Sequence, residues 1–260
     1  MVTKIIKRTY MGIIFLFLYA PILVLIVYSF NESKSRGQWG GFTLKWYAEL
    51  LKDPDINKAL YYTFVIAFLS AVISTLIGTF AAIGIHNMNL LGRKAVLNIN
   101  YLPVLNPDIV TGVALMTLFL SANIRLGFVT MLLSHVMFSI PYVILSVLPK
   151  LRQMNRHMAE AALDLGATPF HALRKVIIPE IMPGVITGAL ISFTLSVDDF
   201  VISFFNTGSG VTNLSIVVYS MARRGIKPSI NALSTLMLLT VVILLLLINK
   251  RTTKGDELIP

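Results

Sequence analysis

The chain is 260 residues long, 56% hydrophobic and only 13% charged, with a mean hydropathy of +0.78. A soluble domain carries about 25% charged residues, so a free-standing soluble enzyme is excluded; at about 20 apolar residues per crossing, the sequence holds material for about six membrane helices with short connections. The net charge of +10 does not mark nucleic-acid binding, because the bases sit in short segments between long apolar runs and gather on no polar face.

The first apolar run, residues 10–29, is too long for the core of a signal peptide and no small-residue cleavage site follows it, so it is expected to stay as a span. Residues 30–59 form a long outer connection in which Phe42, Trp46 and Leu50 recur every four residues, with Tyr47 and Leu51 beside them. That spacing predicts a short amphipathic helix. Trp46 reads as an anchor at the headgroup level or, if the cargo is a cation, as an aromatic face at the outer mouth. Runs at 60–85, 101–122, 127–149, 181–205 and 232–249 complete an all-α integral membrane protein of six spans. Pro141 and Pro183 fall inside two of them, which a helix bundle tolerates where neighbours satisfy the freed carbonyls. Ser70/Ser74, Gly78/Ala82 and Gly184/Gly188 are small residues four apart, the spacing that lets helix backbones approach closely in lipid.

Orientation follows from the bases, which are retained on the cytoplasmic side. With the N-terminus inside, the inner segments hold the larger share: Lys4, Lys7, Arg8, Arg93, Lys94, Lys150, Arg152, Arg156, Arg174, Lys175, Lys250, Arg251 and Lys254. The outer segments hold Lys34, Arg36, Lys45, Lys52, Lys58, Arg125, Arg223, Arg224 and Lys227, several of them offset by acids of the 30–59 loop. An N-in, C-in layout is expected. Cysteine is absent, which removes disulfides, thiolate metal sites and thiol catalysis together.

The second long loop, residues 150–179, reads KLRQMNRHMAEAALDLGATPFHALRKVIIP and is expected on the cytoplasmic side. Strong helix formers run from Met154 to Leu165, Gly166 interrupts, and Thr168-Pro169 supplies an N-cap and first-turn pair for a second short helix. Pro179 is expected to end that helix and turn the chain into the fifth span. Two helices joined at a glycine make a knob suited to a groove on a soluble partner.

Glu160-Ala161-Ala162, then Gly166, then Val176-Ile177-Ile178-Pro179 resemble the EAA loop of the permeases of binding-protein-dependent ABC importers. That family's pattern is EAA, three residues, Gly, nine residues, Ile-x-Leu-Pro. The spacing matches, with Val176 and Ile178 as conservative departures. The segments LYAPILVLIVYSFN, GFTLKWY, PDIV and FTLSVDDFV extend the likeness over essentially the whole chain, toward the permeases of spermidine/putrescine importers. The resemblance implies a type I ABC importer permease fold as a single transmembrane domain over residues 1–260. It also implies coupling to an ATPase dimer through Glu160, Ala161, Ala162, Asp164, Gly166 and Pro179. The implied partners are a homologous second permease in a heterodimer, an extracytoplasmic polyamine-binding protein, a polyamine cargo and membrane lipid. The chain has no Gly-Lys dipeptide and therefore no P-loop, so ATP and magnesium are expected on the partner ATPase subunits and no cofactor in this one.

Asp108, Asp198 and Asp199 are the acids that fall within predicted spans, where a carboxylate costs about 2.5–3.5 kcal/mol. No Lys or Arg lies in a span to offset them. A cationic cargo, water, a residue of the second permease or a proton is left to compensate, with structural hydrogen bonding as the plainer alternative. Asp108 is expected toward the inner third of the third span and the Asp198-Asp199 pair toward the outer end of the fifth. Acids staggered in this way would offer the amines of a flexible polycation successive sites. Adjacent helical residues point about 100° apart, which leaves one of the pair to cap or brace a neighbouring helix. Ser196 and Tyr19 are candidates for the same path through a hydroxyl and an aromatic face. His135, with no acid near it in sequence, is expected to make a helix-to-helix hydrogen bond before a proton relay. A permease for another cargo such as ferric ion or an opine, a proton-coupled secondary carrier and a membrane-embedded enzyme are the rival readings.

Overall fold

A computed structural model of the chain describes residues 2–34, 38–224 and 228–256. Arg36 and Lys227, counted above among the outer bases, lie outside the described residues. The fold is helical: α1 (Val2–Ser29), α2 (Lys45–Lys52), α3 (Pro54–Asn87), α4 (Leu90–Leu105), α5 (Asp108–Ser121), α6 (Phe128–Gln153), α7 (Arg156–Asp164), α8 (Pro169–Ala172), a π-helical turn (Leu173–Ile177), α9 (Ile178–Asp198), α10 (Val201–Asn206), α11 (Leu214–Arg224) and α12 (Pro228–Asp256). Among the described residues no strand forms beyond one antiparallel bridge, Asn31 to Phe42. Four helical stretches are long and apolar enough to cross a membrane: Ile6–Ser29, Pro54–Asn87, Phe128–Gln153 and Pro169–Asp198. The bent pair α4 and α5 adds a fifth if counted as one span, and α12 covers the last predicted apolar run.

The third predicted span, 101–122, is not one helix. It breaks at Asn106-Pro107, and α4 and α5 meet at 104°. The ring of Pro107 disfavours helical geometry in the residue before it, and Asn106 takes an extended ψ of 145°. Asp108 is therefore the first residue of α5, not a mid-helix acid. The fifth predicted span, 181–205, breaks likewise at Asp199-Phe200.

The chain forms two compact units, Met1–Asn57 with Val217–Pro260, and Lys58–Ile216. In the first, α1 and α2 both pack on α12, and the loop after α1 folds around Asn31. The Asn31 Oδ1 accepts the N–H groups of Ser33 (3.2 Å) and Gly40 (2.8 Å), and its Nδ2 donates to the Gln38 carbonyl at 2.9 Å. Trp46 is 5% exposed and its indole N–H donates to the Asn31 carbonyl at 2.7 Å. The expected amphipathic helix is thus present as α2, with Trp46 and Leu50 on its buried face. Trp46 offers no open aromatic face, because its ring closes this loop; Phe42 precedes the helix and stacks on Phe30 at 5.3 Å.

In the second unit, α3 and α9 close on α6 through small residues. A methyl group at Gly184 would lie 2.8 Å from the Ser146 carbonyl oxygen, one at Gly188 would lie 3.1 Å from Val143 Cα, and one at Gly78 would lie 2.7 Å from Val143 Cβ. Ser70 and Ser74 of α3 meet Ser196 and Ser192 of α9 at 3.1 and 2.7 Å. The four-residue spacings of small residues therefore lie at real helix contacts. Around them Ala82, Ile85, Val143, Val147, Leu151 and Ile181 form the apolar core.

Candidate functional site

The 150–179 loop folds as two short helices with defined ends. Asn155 caps α7, accepting the His157 N–H at 3.1 Å. At the other end Ala167 N–H reaches the Ala162 carbonyl (3.0 Å) and Gly166 N–H the Leu163 carbonyl (2.9 Å). This pair of bonds is the Schellman closure of a helix, and it places Gly166 at φ +88°. The backbone therefore needs glycine here: a β-branched residue in that region costs about 1–2 kcal/mol. If the loop couples transport as the sequence resemblance implies, Gly166→Val is expected to preserve the abundance of the protein in membranes while lowering uptake at least severalfold, as measured by uptake normalised to immunoblot signal.

Thr168 caps α8, its hydroxyl accepting the His171 N–H at 3.3 Å. Glu160, Ala161 and Asp164 are exposed on α7 and Ala162 is half-buried. Glu160 Oε2 lies 3.0 Å from His157 Nδ1. Leu165 (90% exposed) and Phe170 (70%) stand out on either side of Gly166. An exposed carboxylate flanked by Ala161, Leu165 and Phe170, all exposed, can dock on another protein; among the described residues nothing here resembles a catalytic cluster.

Pro179 does not end the second helix as expected. Residues Pro169–Asp198 run as one helical stretch, with the π turn immediately before Pro179. In that turn Ile178 N–H bonds to the Leu173 carbonyl, five residues back. The wider loop leaves room for the pyrrolidine ring, and Pro179 stands in the first turn of α9, where its missing N–H removes no bond that α9 requires.

The second group of candidates gathers where α9 gives way to α10. Asp199 takes an extended ψ of 125°, and its carboxylate caps α10 by accepting the N–H groups of Ile202 (3.2 Å) and Ser203 (2.7 Å). Asp199 Oδ2 also lies 3.5 Å from His135 Nε2. His135 is buried on α6, with Nδ1 2.6 Å from Ser196 Oγ and Nε2 2.9 Å from Ser203 Oγ. Both ring nitrogens thus face hydroxyls able to donate or accept, and the imidazole is satisfied in either neutral tautomer. Asn213 Nδ2 completes the cluster, reaching Ser203 Oγ (2.8 Å) and the Asp199 carbonyl (2.9 Å). Asn206 Nδ2 extends it to the Gly112 carbonyl of α5 at 3.1 Å.

His135 does make the expected helix-to-helix bonds, but it has the acid companion that its sequence neighbourhood lacks, because Asp199 arrives from another helix. Ser203, Asn206 and Asn213 belong to no motif that sequence reasoning singles out; the available signal is Ser203 within the apolar end of the fifth run and the polar segment 206–213 that follows it. Asp198 and Asp108 are exposed at the end of α9 and the start of α5. Tyr19 is exposed on α1 and stacks on Phe15 at 6.1 Å.

Known proteins share this architecture and sequence. The model of a family described as binding-protein-dependent transport system inner membrane component matches residues 74–251. The spermidine/putrescine transport system permease protein PotC of Escherichia coli (strain K12) is 39% identical over 259 residues, covering 98% of each chain. The putrescine transport system permease protein PotI of the same organism is 39% identical over 231 residues, 86% of this chain and 82% of its own. Among solved structures, a bacterial ABC transporter involved in import of the acidic polysaccharide alginate superimposes with a TM-score of 0.74 at 17% identity, covering 98% of each chain. A subunit of the MetNI methionine ABC transporter in an inward-facing conformation gives 0.62 at 18% identity, covering 82% of this chain and 99% of its own. At such identities the structures establish the fold and leave the cargo open, whereas the model match and the 39% relatives establish descent: the chain belongs to the family of binding-protein-dependent transport system inner membrane components.

Proposed function

We propose that this chain is a permease subunit of an ATP-driven importer that carries spermidine or putrescine across the cytoplasmic membrane of a bacterium. The observation that carries the reading is the 150–179 loop, a capped helix pair hinged at Gly166 that presents Glu160 and bulky apolar groups outward. The cargo is inferred from the relatives, which are named as polyamine permeases over nearly the full length of this chain. In this reading residues 1–260 are one transmembrane domain of the type I importer class, with six spans and both termini inside. Residues 30–59 lie outside and 150–179 inside. A homologous permease pairs with it, an extracytoplasmic binding protein delivers the polyamine, and an ATPase dimer binds ATP and magnesium. Glu160, Ala161, Ala162, Asp164 and Gly166 form the face that docks on the ATPase, and Pro179 fixes how that face joins α9.

Within the substrate path the three acids have different tasks. Asp108 and Asp198 have exposed carboxylates able to meet the amines of the cargo, while Asp199 and Ser196 hold the wall behind them through His135 and the cap of α10. Tyr19 contributes an exposed aromatic ring of the kind that attracts ammonium groups. Asp198→Asn is expected to reduce polyamine uptake about tenfold or more, the worth of one hydrogen bond to a charged group, without altering the thermal midpoint. Asp199→Ala is expected to lower the midpoint as well, since a lost helix cap costs about 0.5–2 kcal/mol. Uptake and thermal unfolding measured on both variants check this; a stable Asp198→Asn with wild-type uptake would remove it from the path. The function as a whole is tested by reconstituting the four-component complex in proteoliposomes. Accumulation of labelled polyamine only with internal ATP and external binding protein is expected, and stimulation by neither spermidine nor putrescine would overturn the cargo assignment.

A further inference from the structure

We infer that residues 38–44, led by Trp39 and Phe42, form an interfacial anchor that seats the outer loop on lipid headgroups at the end of α1. Trp39 is 55% exposed and Phe42 69%, with Leu44 exposed beside them. Their position is fixed: Glu32 N–H bonds to the Gly41 carbonyl (3.0 Å) and Thr43 N–H to the Phe30 carbonyl (2.8 Å). These bonds pair the segment with the first residues beyond α1. Phe42 stacks on Phe30, and Tyr47 meets both Phe30 (5.4 Å) and the Ser29 hydroxyl (2.7 Å). The aromatic cluster is thus continuous with the outer end of a helix whose apolar window has no buried residue.

The dimensions agree with a headgroup position. From Arg8 to Phe30 the rise is about 33 Å at about 1.5 Å per residue, against a hydrocarbon thickness of about 30 Å. With Lys7 and Arg8 at one surface, the cluster reaches the opposite one, where tryptophan rings are favoured because one end is apolar and the indole N–H stays wet. Lys45, which follows the segment, is exposed and shares its charge with Glu49 at 3.8 Å, a pair loose enough to be exchanged for a lipid phosphate. The role expected from the sequence for Trp46 therefore falls to Trp39, because Trp46 is enclosed by the loop. The anchor rests on α1 crossing the membrane, as the permease reading has it, and is independent of the cargo.

The sequence contains two tryptophans, so the full chain reports on Trp39 by difference. Reconstituted into nanodiscs, wild type and Trp39→Phe are compared in phosphatidylcholine brominated near the headgroup or deep in the acyl chain. The expected result is strong quenching of wild-type emission by the shallow bromine, weak quenching by the deep one, and loss of most of the lipid-quenchable signal in Trp39→Phe. Equal quenching of the two proteins would overturn the anchor. So would a Trp39 contribution quenched by aqueous acrylamide and untouched by brominated lipid, or one that responds only to a soluble extracytoplasmic protein. Trp46→Phe, leaving Trp39 as sole emitter, gives the same reading directly. Polyamine uptake by Trp39→Phe is scored separately, so loss of the anchor and loss of the transport reading are distinguishable.

Discussion

Membranes expressing Gly184→Leu are expected to contain little or no folded chain. At Gly184 the first atom of any side chain would stand 2.8 Å from the Ser146 carbonyl oxygen and 3.2 Å from Val147 Cα. These are backbone atoms of α6 and cannot swing aside as the end of a lysine can. Overpacking of a filled core costs about 1–3 kcal/mol even where side chains alone must yield. Here two helices must separate along a seam that continues one turn later at Gly188, loosening the core of Val143, Val147 and Ile181. Gly184→Ala should lower the thermal midpoint of the solubilised protein measurably, and leucine should abolish the folded peak in size-exclusion chromatography. A Cβ at Gly84, on α3, would meet no atom of another element within 4 Å, so Gly84→Ala is the control and should be at least as stable as wild type. A monodisperse Gly184→Leu protein with an unchanged midpoint would show that α6 and α9 are not in close contact.

Glu160→Lys is expected to have the opposite signature, normal abundance with transport abolished. The carboxylate is exposed and, among the described residues, pairs with His157 of the same helix turn, so the fold loses almost nothing: an exposed pair is worth about 0–1 kcal/mol. At the proposed docking face, however, disrupting one partner of a desolvated charge contact costs about 2–5 kcal/mol, which is roughly a thirtyfold to several-thousandfold weakening. Reversal of sign adds repulsion to that loss. ATP-driven uptake in proteoliposomes should vanish, and the ATPase subunits should dissociate from the permease during purification. Wild-type ATPase stimulation by Glu160→Lys would place the coupling face elsewhere on the chain.

Legible in the sequence is what depends on local order. Gly184 and Gly188 announce a helix contact through their spacing, and Gly166 and Thr168 mark helix ends because capping is a property of a few consecutive residues; Asn155, which the helix-forming run from Met154 includes, proves to be the cap of α7. Asn106-Pro107 carries a break signal too, but the apolar residues on both sides outweigh it when the run is read only for hydropathy. The break at Asp199 is harder, since Phe200 to Phe205 continue the apolar pattern and the compensation for bending comes from a carboxylate folding onto the next turn. His135 and Asp199 meet through tertiary packing, which no spacing along one chain segment reveals. Trp46 misleads for a related reason: its amphipathic pattern gives a helix with one apolar face, and only Asn31, fifteen residues away, determines that this face is covered by the chain itself. Pro179 shows tertiary continuity overriding propensity, the helix widening by a turn to accommodate a residue that would otherwise end it.

That widened turn also makes the number of residues in the loop matter, independently of their side chains. Each residue added to or removed from a helix rotates everything beyond it by about 100°. Since Leu173–Ile177 joins α8 to α9 without a break, the azimuth at which Glu160 and Gly166 stand around the axis of α9 is set by the number of residues before Pro179. If Glu160 and its neighbours form the proposed docking face, deleting one residue would leave its side chains in place and aim them about a quarter-turn away, so the spacing between Gly166 and Pro179 would act as a phase requirement more than a requirement of length.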